Sequence, residues 1–156
     1  MRSVLRTTGG GSISIGANCE IHDFAMILTY GGVVAIGDDC SLNPYSIIYG
    51  HGGTRVGRGV RIAAHCVIIP ANHRRSRGRA GQLDGIDVRG ITIGDDVWIA
   101  SGCQILDGVN IGSHVTIGAG SVVTRSLPES VTAVGAPARP LRLTSGTEAD
   151  PDVRRG

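Results

Sequence analysis

From Ile93 to Val123 an aliphatic residue recurs every six positions without a break: Ile93, Ile99, Ile105, Ile111, Ile117 and Val123. An amphipathic helix repeats at about 3.6 residues and a half-buried hairpin strand at about two, so neither accounts for this spacing. A short strand followed by a tight turn, repeated many times, does. Two positions before five of these residues stands a second small or medium one: Val97, Cys103, Val109, Val115 and Ser121. Side chains alternate across a strand, so Val97 and Ile99 share one face and Trp98 takes the other. The pattern is a hexapeptide β-helix repeat.

The same period extends backwards through Ile15, Ile21 and Ile27, through Ile36, Leu42 and Ile48, and through Val56, Ile62 and Ile68. With the uninterrupted stretch this makes five groups of three, which predicts a triangular coil of eighteen residues whose inward side chains stack in three columns. The interruptions, Ile27 to Ile36, Ile48 to Val56 and Ile68 to Ile93, all follow the third strand of a coil, so extra chain leaves the prism at one edge. The largest, residues 70–90, is rich in Gly and Arg, has no apolar period and is expected to be an excursion loop. Loops of this length are usually functional or disordered. Beyond Val123, Val134 and Gly135 suggest one further short strand. Residues 1–12 read as an arm or a partial coil, 13–142 as the β-helix domain, and 143–156 as a disordered tail. With 25 Gly and 3% aromatic residues, the composition suits a solenoid of aliphatic rungs better than a helical core.

Cys19, Cys40, Cys66 and Cys103 each lie four residues after a rung aliphatic, in the slot that Val97 and Val115 also fill. No CxxC pair is present, so reduced packing residues are expected rather than a zinc site. That usage, with no signal-like apolar stretch at the N-terminus and no run of membrane-spanning length, predicts a cytoplasmic protein. The net charge of +2 gives no general case for a nucleic-acid or membrane partner.

Five segments carry a family resemblance: LNPYSIIYGHGG (Leu42 to Gly53), VGRGVRIAAHCVIIPANH (Val56 to His73), IGDDVWIASG (Ile93 to Gly102), IGAGSVVT (Ile117 to Thr124) and VGAPARPLR (Val134 to Arg142). In this order they resemble the hexapeptide-repeat acyltransferases of the sugar and polysaccharide O-acetyltransferase type. The resemblance implies an all-β fold, a single-stranded left-handed parallel β-helix, although the usual crossover rule favours the right hand. It also implies a homotrimer with active sites at subunit interfaces, and acetyl-CoA as cosubstrate with no metal.

Residue by residue, the resemblance makes His73 the general base that deprotonates the acceptor hydroxyl, a task suited to an imidazole. Asn43, Tyr45 and His51 fall at acceptor-binding positions. Trp98, Ala100, Ser101, Ala119, Thr124, Arg125, Arg139 and Arg142 fall at coenzyme-binding ones, Ala100 and Ser101 through backbone amides. Several have plainer readings: Asn43 as a corner residue in left-handed geometry, His51 as a turn residue between glycines, Trp98 as an interface residue, and the arginines as solvated charges. Arg74, Arg75, Arg77 and Arg79 depart from the family pattern and fit either an anionic acceptor or a solvated loop. The sequence offers no carboxylate to orient His73.

Other reactions compete. N-acetylation of an amino sugar, free or nucleotide-linked, needs only a different acceptor. A zinc carbonic anhydrase would need three converging histidines; His51, His65 and His73 are the candidates, but no His-x4-His pair exists. A non-catalytic scaffold is the third reading.

Overall fold

Short parallel strands wind into a β-solenoid, which the computed structural model describes over residues 2–75 and 83–141. The expected tail 143–156, Arg142, Arg77 and Arg79 lie outside the described residues. Three sheets form the sides of the prism. Face A has Val4–Arg6, Met26–Leu28, Ile47–Tyr49, Val67–Ile69, Gln104–Leu106 and Val122–Val123. Face B has Ser12–Ile15, Val33–Ile36, Thr54–Val56, Ile91–Ile93 and Asn110–Ile111. Face C has Glu20–Ile21, Ser41–Leu42, Arg61–Ile62, Trp98–Ile99, Thr116–Ile117 and Thr132–Gly135, closed by antiparallel Ala138–Pro140. The chain runs B, C, A in each coil, so the corners are BC, CA and AB.

The register puts the predicted rungs in line. Ile15, Ile36, Val56, Ile93 and Ile111 pair in succession on face B. Ile21, Leu42, Ile62, Ile99 and Ile117 do so on face C. Ile27, Ile48, Ile68, Ile105 and Val123 do so on face A. Most of these side chains are buried to within a few per cent; Ile15 and Ile21 are half-buried because their strands end their sheets. The columns run further than the sequence pattern. Leu5 pairs with Ile27, Leu127 bridges to Ile111, and Ala133 pairs with Ile117. Residues 1–12 thus contribute a strand to the first coil.

The six-residue repeat is kept by tight corners. Gly57, directly after a rung aliphatic, runs so close to the next coil that an added Cβ would lie 2.7 Å from the Gly94 backbone. Inward corner positions also carry small donors. Cys40 Sγ donates to the Gly57 carbonyl (3.1 Å), Cys66 Sγ to Ala100 (3.2 Å), Cys103 Sγ to Gly118 (3.2 Å) and Ser46 Oγ to Ala63 (2.7 Å). These carbonyls otherwise accept no backbone hydrogen bond among the described residues. Cysteine suits the slot because it packs as a small apolar residue and still offers a weak donor. The Cys103 thiol beside it and burial hold the Cys66 thiol well above the ordinary cysteine range, and all four cysteines are free.

The excursion differs from a structureless loop. Asn72–Arg75 and Leu83–Asp87 form an antiparallel ladder, with His73 opposite Ile86. Arg74 clamps it by placing Nη2 2.9 Å and Nε 3.1 Å from Asp87 Oδ1. The sequence hides this ladder because its strands have polar residues where an apolar alternation would have been visible.

Ile99 is fully buried at the centre of its column. Ile99→Ala should therefore lower unfolding free energy by about 2–5 kcal/mol, while Thr92→Ala on the outer surface should change it by about 0.5 kcal/mol or less. Denaturant unfolding of the two variants measures the difference.

Candidate active site

Two edges of face A carry the predicted chemistry. At the AB corner the chain leaves the prism after Ile69, and His73 stands exposed on the outgoing strand. The return is pinned: Asp107 Oδ1 accepts the N–H groups of Arg89 (2.8 Å) and Gly90 (3.0 Å). One coil earlier at the same corner lies His51. Its ring stacks on Tyr30 (centroids 4.8 Å) and tilts against Tyr49 (5.8 Å). Its Nδ1 is buried without a hydrogen-bond partner among the described residues. Burial, with His73 close enough to oppose a second charge, pushes the His51 pKa below its ordinary 6.5. His51 is thus a half-buried neutral group beside His73, not merely a turn residue. A groove of about 440 Å³ opens here, lined among others by His51, Arg55, Arg89, Thr92 and Asn110.

The CA corner is built differently. Phe24, Tyr45 and His65 occupy equivalent positions in three successive coils, each with φ near +60° (63°, 62° and 61°). Their rings stack at 4.9 and 5.1 Å with interplanar angles of 7°. Below them the same position is Gly102 and then Gly120, so the ladder of rings stops where the backbone becomes bare. There the N–H groups of Ser101 and Ala119, on adjacent coils, make no hydrogen bond among the described residues and both residues are exposed. The Ala100 N–H, by contrast, donates to the Ile117 carbonyl at 2.9 Å. This corrects the expectation for Ala100: its amide is committed to the ladder, and the available donors are those of Ser101 and Ala119.

Asn43 also lies at the CA corner. It is not in left-handed geometry; Tyr45 is. The Asn43 backbone N and Nδ2 both donate to the Ile62 carbonyl, each at 3.0 Å, so its side chain props the corner. Trp98 projects from face C, 55% exposed, between Arg61 and Thr116. Thr124 and Arg125 follow face A at the AB corner of the last coil, and both are exposed. Arg139, on the closing strand of face C, turns Nη1 onto its own chain at the Ala138 carbonyl (2.9 Å).

The predicted residues therefore fall into two sets. His51, His73, Thr124 and Arg125 stand at the AB corner; Asn43, Tyr45, Ser101 and Ala119 at the CA corner. Face A lies between them, roughly 10–15 Å wide at about 3.3 Å per residue. One chain alone does not bring them together. The three histidines of the zinc reading are split likewise, His65 from His51 and His73, and among the described residues no group of three or more His, Cys, Asp or Glu could hold a metal.

Sequence reasoning missed the groove residues Arg55, Thr92 and Asn110. The signal was present: each directly precedes a face B rung aliphatic (Val56, Ile93, Ile111), which makes them one outward column, paired in register.

Known proteins share this architecture. Residues 90–125 match the family model "Bacterial transferase hexapeptide (six repeats)". The chain is 52% identical over 52 residues to galactoside O-acetyltransferase of Escherichia coli (strain K12), an alignment covering 33% of this chain and 25% of that protein. It is 40% identical over 84 residues to serine acetyltransferase of Staphylococcus epidermidis, covering 52% of this chain and 38% of that one. Among solved structures, AntD, an N-acyltransferase from Bacillus cereus in complex with dTDP and 3-hydroxybutyryl-CoA, superposes with a TM-score of 0.73 at 26% identity, covering 89% of this chain and 81% of that one. The chain spans less than half the length of the curated relatives it matches. The resemblance read from the sequence is supported: the hexapeptide-repeat model matches residues 90–125, and the described strands stack as the parallel β-solenoid that such a repeat builds.

A His whose folded pKa is lowered contributes stability above the unfolded value of 6.5 and loses it as pH falls through the folded value. Melting temperature should accordingly fall between pH 7 and pH 5 by more in the native protein than in His51→Gln. Parallel melting curves across that range test this; equal slopes would contradict it.

Proposed function

We propose that this protein transfers an acetyl group from acetyl-CoA to a hydroxyl of a sugar or glycan, with His73 as general base. The observation that carries this reading is the pairing of an exposed imidazole at one edge of face A with unpaired Ser101 and Ala119 N–H groups at the other. His73 takes the proton of the acceptor hydroxyl, whose oxygen attacks the thioester carbonyl carbon. The Ser101 and Ala119 amides receive the negative charge that develops on the carbonyl oxygen. As the C–S bond breaks, the imidazolium returns the proton to the departing sulfur, leaving acetylated acceptor and free coenzyme A. Trp98, Thr124, Arg125 and Arg139 hold the coenzyme, and Asn43, Tyr45 and His51 border the acceptor. Arg142, outside the described residues, is proposed with the coenzyme group.

The two half-sites meet in a homotrimer. The outward side of face A is mostly apolar: Met26, Ile47, Val67 and Val122 share one column, interrupted by the exposed Gln104, and Leu28, Tyr49, Ile69 and Leu106 follow the inward rungs; apart from Gln104 these residues are half-buried or buried. Faces B and C instead present residues such as Arg55, Thr92 and Asn110, or Glu20, Arg61 and Thr132. Packing three A faces around an axis covers the apolar surface and sets the AB corner of one chain beside the CA corner of the next. A second acceptor class, a nucleotide-linked amino sugar, is favoured by the likeness to AntD, whose structure holds dTDP and an acyl-CoA. Such an amine attacks the thioester with less help from a base. Among the described residues no helix is long and apolar enough to cross a membrane; a cytoplasmic location accords with an acetyl-CoA-dependent reaction.

His73→Ala should cut turnover by about 10²–10⁴-fold with coenzyme affinity little changed, as measured by free-thiol release from acetyl-CoA over an acceptor panel. No thiol release above background with any sugar or amino sugar would refute the reading. Val67→Glu, which places a charge in face A, should yield a folded monomer without activity. Sedimentation alongside the thiol assay would show this; an active monomer would contradict the shared site.

A further inference from the structure

Two arginines, Arg55 and Arg89, line the groove at the AB corner, and no carboxylate lines it with them. Arg55 is the outward residue of its face B rung, in register with Thr92 and through it with Asn110. Arg89 lies on the returning limb of the excursion, its stem passing over Gly108, where an added Cβ would come 3.1 Å from Arg89 Cδ. Neither guanidinium has an ion pair or side-chain hydrogen bond among the described residues. The nearby carboxylates are engaged: Asp107 Oδ1 by the Arg89 and Gly90 N–H groups, Asp87 by Arg74. No Asp or Glu lines the groove.

A lone exposed arginine is ordinarily a solvated charge. Here two border one concave space, and both leave from backbone fixed in place, Arg55 by the parallel ladder and Arg89 by the Asp107 clamp. Thr92 and Asn110 add neutral hydrogen-bonding groups along one wall. His51 also lines the groove. A fixed planar guanidinium meets a carboxylate or a phosphate with two parallel N–H donors, and a pair of them selects an anion over a neutral sugar.

We infer that this groove binds the anionic group of the acceptor, a carboxylate or a phosphate, and so makes the substrate an acidic sugar. The inference rests on the acyl-transfer reading for the fate of the ligand but not for its binding, so the two are tested separately. Calorimetric titration of the full chain with galacturonic acid, galactose 1-phosphate and galactose should show about tenfold tighter binding for at least one anionic probe. The carboxylate and phosphate arms tell the two sources apart. Arg55→Gln and Arg89→Gln should each remove most of that preference, whereas Arg61→Gln on face C should leave it intact. Equal binding of all three sugars, or an equal loss in Arg61→Gln, would overturn the inference. Thiol release with a neutral sugar at the same KM as with its acidic counterpart would overturn it too while leaving acyl transfer standing. Selective anion binding without thiol release from any acceptor would keep the groove and refute acyl transfer.

Discussion

The structure depends on the stacking of identical rungs in strict parallel register. In a sheet a slip of one residue turns every inward side chain outward, and here all three sheets share one interior, so a slip on one face would expose its whole column. The register therefore fixes more than the core. It sets which corner each turn occupies, and every turn of one kind is piled on the next. Chemistry placed at one corner in successive coils, such as the Ser101 and Ala119 amides, is aligned by the same ladders that bury Ile99 and Ile117.

This rigidity also explains where variation is possible. Corners BC and CA are tight, and an extra residue there would break the ladders on both sides. The AB corner takes additional chain in several coils because the excess can leave the prism without disturbing the next strand. His73 owes its position to that freedom. Because the excursion returns through a backbone clamped by Asp107, the chain beyond it resumes its register at Ile91. The excursion and the scaffold thus meet over a few residues, and His51, Arg55 and Arg89 gather there.

Much of the fold was legible because a period of six has few structural solutions. The three columns, the shared exit edge and the outward direction of Trp98 all came from counting. The count failed where spacing or residue type changed: Leu127 follows Val123 by only four positions, and Ala133 is too small to stand out as a rung. The hairpin bearing His73 was hidden because its ladder is built from polar residues. At the candidate site, residue types could be read from sequence but hydrogen-bond availability could not. Nothing in the letters says that the Ala100 amide is committed while its neighbour's is free, or that Asn43 braces the corner through Ile62. The outward column of Arg55, Thr92 and Asn110 was readable from the period, but its meaning depended on the returning limb that brings Arg89 beside it.

The central claim is that one catalytic centre is assembled from the AB corner of one chain and the CA corner of another. A crystal structure with bound coenzyme A tests it most directly. The account predicts a trimer in which the sulfur lies beside the Ser101 and Ala119 N–H groups of one chain, with the His73 imidazole of a neighbour close enough to reach it through an acceptor hydroxyl at hydrogen-bond distances of about 2.6–3.2 Å. A coenzyme whose sulfur rests on a single chain, remote from every His73, would contradict it.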